Sequence, residues 1–171
     1  MSNRPSSPEK FPRGEGSEAG VEGPGLRGTR QIEVTWGDCD PAGVVFYPRY
    51  YAWFDACTHH LLDGVGLDHH TLRRVHKLVG APLVQASATF RGAATFGDVL
   101  RAESHISRVG TRSFTVHHRL CLGDRVVVEG EEVRVWAEAG EDGPRSLRAV
   151  TLAPEIKALL EGKPCSPPPT P

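Results

Sequence analysis

One segment decides what this chain can fold into. From Pro48 to about Leu62 the large side chains Tyr50, Trp53, Phe54, Cys57 and Leu61 recur at helical spacing. Pro48 stands at the start, where its missing N–H does no harm, and Gly64 and Gly66 close the segment. A lone helix carrying Tyr50, Trp53 and Phe54 needs a whole sheet face to bury it, and the rest of the chain supplies strands. Gln31 to Trp36 alternates Ile32, Val34 and Trp36 with polar residues, the period of a half-buried strand. Further strands are expected over Leu83 to Phe90, Val99 to Ser107, Arg112 to Leu122, Val126 to Ala137 and Leu147 to Leu152. In the second of these Leu100, Ala102 and Ile106 share one face. In the third, Phe114, Val116, His118 and Leu120 do. Gly97-Asp98, Gly123-Asp124 and Glu141 to Pro144 supply turns. Short helices fit Leu67 to Lys77 and Ala153 to Glu161. The pattern predicts an α+β architecture, an antiparallel sheet curled around one long central helix.

The 171 residues suffice for one domain with a real core and not for two. Residues 1–29 are rich in Ser, Pro, Gly and charge with few large apolar side chains, so they are expected to form a disordered extension. A second unstructured tail is expected over 164–171, which leaves 30–163 as the folded unit. A formal net charge of -1 argues against a nucleic-acid-binding surface. The opening MSNRPSSPEKFPRGEG has no apolar core, and no stretch approaches the roughly 20 apolar residues of a membrane span. Cys39, Cys57, Cys121 and Cys165 form no CxxC pair, so reduced thiols in a cytoplasmic protein are expected.

The chemistry is concentrated in WGDCDPAGVVFYPRYYAWFD, residues 36–55. Asp40 lies in a tight loop after a strand, with Pro41 and Gly43 beside it and a helix starting a few residues later. A helix start presents unpaired amides and partial positive charge. A carbonyl oxygen resting there is polarised, and a nearby carboxylate can attack the carbonyl carbon or activate a water. Asp and Pro in such a loop are also ordinary turn and cap residues, so the local pattern leaves both readings open.

GDCDPAGVVFYPRYYAWFDA resembles the signature of the 4-hydroxybenzoyl-CoA thioesterase family, in its aspartate-nucleophile branch. The likeness continues through GAPLVQASATFRGAATFGDVL, RSFTVHHRL, EEVRVWA and LRAVTLAPEI, and covers residues 31–161. The resemblance implies the hotdog fold and hydrolysis of an aromatic acyl-CoA. Asp40 is then nucleophile or general base, the backbone N–H of Tyr47 is the oxyanion donor, and Asp38 is a loop-shaping acceptor. Asp55, in line with Tyr51 and Thr58, is implied to accept a hydrogen bond from a hydroxyl or amino group on the acyl ring, since a buried anion without a donor is costly. Phe46 is placed with the substrate. Arg112, Arg134 and Arg148 are candidates for the CoA phosphates, Arg112 first among them. Ala81 departs from the family pattern, in which a hydroxyl-bearing residue is common.

No cofactor and no metal are expected, because CoA belongs to the substrate and the histidines follow no ligand spacing. His59, His60, His69 and His70 are read as solvent-facing or interface residues. Competing readings are an aliphatic short- or medium-chain acyl-CoA thioesterase, a non-catalytic acyl-CoA-binding protein, and a hydratase using His60 or His118. A hotdog sheet exposes edges, so a homo-oligomer is expected, a dimer or a dimer of dimers, with the active sites at subunit interfaces.

Overall fold

The computed structural model describes residues 25–141 and 143–163. The extension over 1–24 and the tail over 164–171, with Cys165, lie outside the described residues. In chain order the elements are β1 (Arg27–Glu33), α1 (Pro48–Asp63), α2 (His69–Arg74), β2 (Leu83–Phe90), β3 (Val99–Val109), β4 (Ser113–Leu122), β5 (Arg125–Val135), β6 (Ala137–Gly140), β7 (Gly143–Ala149) and α3 (Pro154–Leu160). Five strands form one sheet in the order β1-β3-β4-β5-β2, antiparallel throughout, and β6 and β7 form a separate hairpin. Among the described residues no helix is long and apolar enough to cross a membrane.

α1 lies across the sheet with Tyr50, Phe54, Cys57, Thr58, Leu61 and Leu62 buried. Burying a side chain the size of Phe54 contributes about 1.5–3 kcal/mol. Its ring stacks on His118 of β4 at 4.9 Å and sits over Gly130 of β5, where a Cβ would collide with it. Gly130 and His118 are cross-strand partners, so a bare backbone beside a flat ring forms the slot that receives Phe54. Burial pushes the Cys57 thiol up in pKa; Cys57, Cys39 and Cys121 are free thiols.

Several features differ from the expected pattern, among them the last strand, which runs Gly143–Ala149 and so takes in part of the turn expected at 141–144. β1 begins at Arg27, three residues inside the stretch read as extension. No apolar stripe marks that start; it is held by backbone pairing of Arg27, Gly28 and Thr29 to β3 and by Gly28 lying close against Leu61. Trp36 leaves the strand for a single 3-10 turn over Trp36–Asp38. The strand expected over 126–137 ends at Val135, because Trp136 turns its N–H to Arg112 O and accepts from Val150 N–H. Moreover, α1 is not wrapped all round: Ala52, Asp55, His59 and Asp63 form an open stripe along the helix.

Candidate active site

The loop between β1 and α1 is fastened by backbone bonds and by one aspartate. Asp40 N–H donates to Val44 O and Gly43 N–H to Asp40 O, closing a tight turn in which Gly43 takes a positive φ of 79°. Val45 N–H reaches Ala94 O, and Phe46 N–H reaches Asp38 O. The Asp38 carboxylate is nearly buried. Its Oδ2 accepts from Thr35 N–H at 2.8 Å and from the Thr35 hydroxyl at 2.6 Å, while Arg49 stands 3.4 Å from Oδ1. Asp38 therefore shapes the loop, the part read for it from the sequence.

Asp40 is differently placed. Its Oδ1 accepts from Ala42 N–H at 2.8 Å, and its other oxygen has no partner among the described residues. The side chain lines a cleft of about 450 Å³ with Trp36, Cys39, Pro41, Gly43, Thr95 and Phe96. Trp36 and Phe96 meet edge to face at 6.1 Å and stay largely exposed, so the carboxylate stands beside an aromatic wall.

Tyr47 is the N-cap of α1. Arg49 N–H donates to Phe46 O and Tyr50 N–H to Tyr47 O, and Pro48 has no N–H. The Tyr47 amide has no acceptor among the described residues, the condition an oxyanion donor must meet. Tyr47 lines a different hollow, about 710 Å³, with Val44, Val45, Tyr50, Phe90, Arg91 and Arg125 among its walls. Burial pushes the Tyr50 hydroxyl up to about 12, so it is a neutral wall. The chain thus carries Asp40 and Tyr47 on one loop but opens them into two neighbouring clefts. The rings of Phe46 and Tyr47 touch edge to face at 5.3 Å, and both are exposed.

Asp55 and Arg134 are brought together. Asp55 is 53% exposed, and its Oδ1 accepts from Arg134 Nη2 at 2.6 Å. In the single chain Asp55 is not a buried anion without a donor, as expected from the sequence, but half open and ion-paired. Arg134 is 3% exposed, with its guanidinium also bonded to Glu132 and to Ala81 O. That placement corrects the expectation of a phosphate-binding cation at a pocket mouth, since inward-facing positions of β5 carry the side chain into the interior. Arg112 and Arg148 fit that expectation better. Arg112 is exposed and precedes β4; Arg148 is exposed on β7 and pairs with Glu138. Trp136 N–H donates to Arg112 O and Trp136 O accepts from Val150 N–H, so the backbone at Arg112 and the end of the β7 segment are both tied to Trp136.

A buried polar cluster went unread in the sequence. Glu132, 1% exposed, accepts from the Thr58 hydroxyl at 2.7 Å and lies 3.4 Å from His118 Nε2; His118 Nδ1 is 2.8 Å from the Ser104 hydroxyl. Burial holds His118 below its ordinary pKa and hence neutral. Burial pulls the Glu132 carboxyl up, but the His118 hydrogen bond, the Arg134 charge and the Thr58 hydroxyl outweigh it and hold Glu132 below the usual range. The signal lay in the alternation of β5, which puts Glu132 and Arg134 on the same face as Val128 and Gly130. His60 is exposed, while His118 is enclosed in this cluster. His59, His69 and His70 are exposed.

Comparisons with known proteins agree with this layout. The model of the thioesterase-like superfamily matches residues 34–169. The chain is 36% identical over 130 residues to 4-hydroxybenzoyl-CoA thioesterase of Pseudomonas sp. (strain CBS-3), covering 72% of this chain and 90% of that protein. The solved structure of that enzyme aligns with a TM-score of 0.72 and 31% identity, over 78% of this chain and 99% of that one. A gentisyl-coenzyme A thioesterase structure aligns with a TM-score of 0.66 and 29% identity, covering 78% and 98%. A 1,4-dihydroxy-2-naphthoyl-CoA hydrolase of Synechococcus sp. (strain WH7803) is 26% identical over 137 residues, covering 77% and 89%. With an antiparallel sheet laid around one long helix, a loop carboxylate at its start and these relatives, the chain belongs to the thioesterase-like superfamily and is a thioester hydrolase of the hotdog fold.

Proposed function

We propose that the protein hydrolyses an aromatic, 4-hydroxybenzoyl-CoA-like thioester to the free acid and CoA, with Asp40 as its catalytic carboxylate. The observation that carries this reading is the Asp40 carboxylate itself. One oxygen is fixed by the Ala42 amide and the other is left to a cleft, on the loop that ends at the unsatisfied Tyr47 amide. As nucleophile, Asp40 adds to the thioester carbon, CoA leaves as a thiolate that takes up a proton, and water opens the resulting anhydride. As general base, it takes a proton from water as that water attacks the same carbon. In either route the Tyr47 N–H receives the developing oxyanion, and Phe46 beside it borders the substrate. The aromatic preference is supported by the acyl groups in the relatives' names and by Trp36 and Phe96 at the cleft. Arg112 and Arg148 are assigned to the CoA phosphates, and Asp55 to the acyl ring.

The opening of Asp40 and Tyr47 into separate clefts favours a site completed by a second copy. β2 is an edge strand with Leu83, Val84 and Phe90 exposed, an unpaired apolar edge that a homodimer covers. Gel filtration is expected to give a dimer or a dimer of dimers, and a fully active monomer refutes that part. The catalytic assignment is tested by thiol release from a panel of acyl-CoA esters with wild type and Asp40→Asn. Hydrolysis is expected to fall by about 10²–10⁴-fold with substrate binding retained. A variant within threefold of wild type ends the assignment.

A further inference from the structure

We propose that Arg134, clamped by Glu132, is a positioning residue that orients Asp55 toward the acyl ring, and that the net charge of this cluster turns away anionic ring substituents. The inference rests on the assignment of Asp55 to the acyl group and adds what holds it there and what it refuses. Arg134 Nε donates to Glu132 Oε2 at 3.0 Å and Nη2 to Glu132 Oε1 at 3.0 Å, so the planar fork is held on two points. Nη1 donates to Ala81 O at 3.2 Å, just ahead of the edge strand β2. Glu132 is itself fixed by the Thr58 hydroxyl from α1 and by His118 from β4. A guanidinium so held has one direction left for Nη2, and Asp55 Oδ1 occupies it at 2.6 Å. Half-exposed aspartates ordinarily sample several rotamers; this one is tethered by an arginine that cannot move. Its Oδ2 has no partner among the described residues and is presented outward.

The charges give the selectivity its sign. Two carboxylates, Asp55 and Glu132, share one guanidinium, and burial keeps His118 neutral, so it offsets neither. His59 Nε2 lies 3.8 Å from Asp55 Oδ1 and adds a compensating charge only when the imidazole is protonated. The cluster thus carries an excess of negative charge at the oxygen it presents. Once a bound ring covers that oxygen and excludes water from it, a phenolic O–H or an aromatic N–H satisfies it, an unsubstituted ring leaves it without a partner, and a ring carboxylate meets like charge.

The experiment measures kcat and KM by thiol release from 4-hydroxybenzoyl-CoA, benzoyl-CoA and 4-carboxybenzoyl-CoA. The full-length chains compared are wild type, Asp55→Asn, Arg134→Lys and the double variant. Arg134→Lys keeps the charge and loses the fork. It is expected to lower the 4-hydroxybenzoyl to benzoyl ratio of kcat/KM by about tenfold, chiefly through KM. In the Asp55→Asn background the same change is expected to move that ratio by less than about twofold, because its effect runs through Asp55. Asp55→Asn is expected to raise turnover of 4-carboxybenzoyl-CoA relative to benzoyl-CoA. A ratio unchanged in Arg134→Lys, or equal losses with and without Asp55, overturns the positioning role. If Arg134→Lys does not fold, Glu132→Gln takes its place, since it retains the side-chain shape and loosens one side of the fork. An unchanged ratio there overturns the proposal equally. If Asp55→Asn alone leaves the ratio untouched, the assignment of Asp55 to the ring has failed, a result distinct from failure of the clamp.

Discussion

Replacing Gly130 by alanine tests the contact that seats the central helix. A Cβ at this position would lie 2.6 Å from Phe54 Cζ and 2.9 Å from Cδ2, with Cε2 closer still. Carbon atoms pack at about 3.5–4.0 Å, so the ring must retreat by about 1 Å. It has nowhere to go: the ring is fully buried and its stack with His118 is tilted by only 11°. Relief therefore requires lifting α1 from β5, and overpacking of this kind costs about 1–3 kcal/mol. In an open strand the same substitution would stabilise by about 0.5–1 kcal/mol through lost glycine freedom, so the sign itself is diagnostic. We expect Gly130→Ala to lower stability by about 2 kcal/mol, a fall in Tm of about 4–8 °C for a domain of this size. Scanning calorimetry and urea titration measure it. Phe54→Leu should relieve much of the loss, because the smaller side chain vacates the slot. A Tm equal to or above wild type, or a loss that is the same in the Phe54→Leu background, refutes the steric argument.

Further outcomes follow from the buried polar groups. Thr58→Val preserves shape but removes the hydroxyl 2.7 Å from Glu132 Oε2, and is expected to destabilise by about 1–3 kcal/mol, read from urea midpoints. Stability should also fall on mild acidification. Burial, helped by the charges of His117 and Arg27, lowers His105 to about 4, and burial lowers His118 as well. Both take up protons more readily when unfolded, so their contribution is complete above pH 6.5 and is lost as pH falls below it, for His105 by about pH 4. The His105 share is at most about 3 kcal/mol and smaller after solvent screening. Glu132, held below the usual carboxylate range, adds its own loss only at more acidic pH. A midpoint constant from pH 7.5 to 5, or a slope unaffected by His105→Gln, contradicts this.

The sheet and helix were legible because burial leaves a period in the sequence: Phe114, Val116, His118 and Leu120 do face inward, and Pro48 does open α1. The start of β1 was not, since Arg27, Gly28 and Thr29 are held by backbone bonds that no side-chain pattern announces. In the candidate site, the loop motif points to Asp40 and Tyr47, whereas the company of Asp55 could not be read. Arg134 lies 79 positions away in sequence, and its inward direction is settled only when β5 pairs with β4 and β2. A charged residue on a core-facing position was the available sign, carried by both Glu132 and Arg134, and it marks a partner that must exist without naming it.

Two aspartates, one residue apart, have separate employment. Asp38 is the rivet: it takes the Thr35 amide, the Thr35 hydroxyl and the approach of Arg49. The Asp40 side chain contributes to the loop only an acceptor for Ala42, which the amide oxygen of asparagine can equally supply. Exchange at position 40 is therefore a clean probe of chemistry. The same exchange at position 38 would slacken the whole strap and counterfeit a catalytic defect.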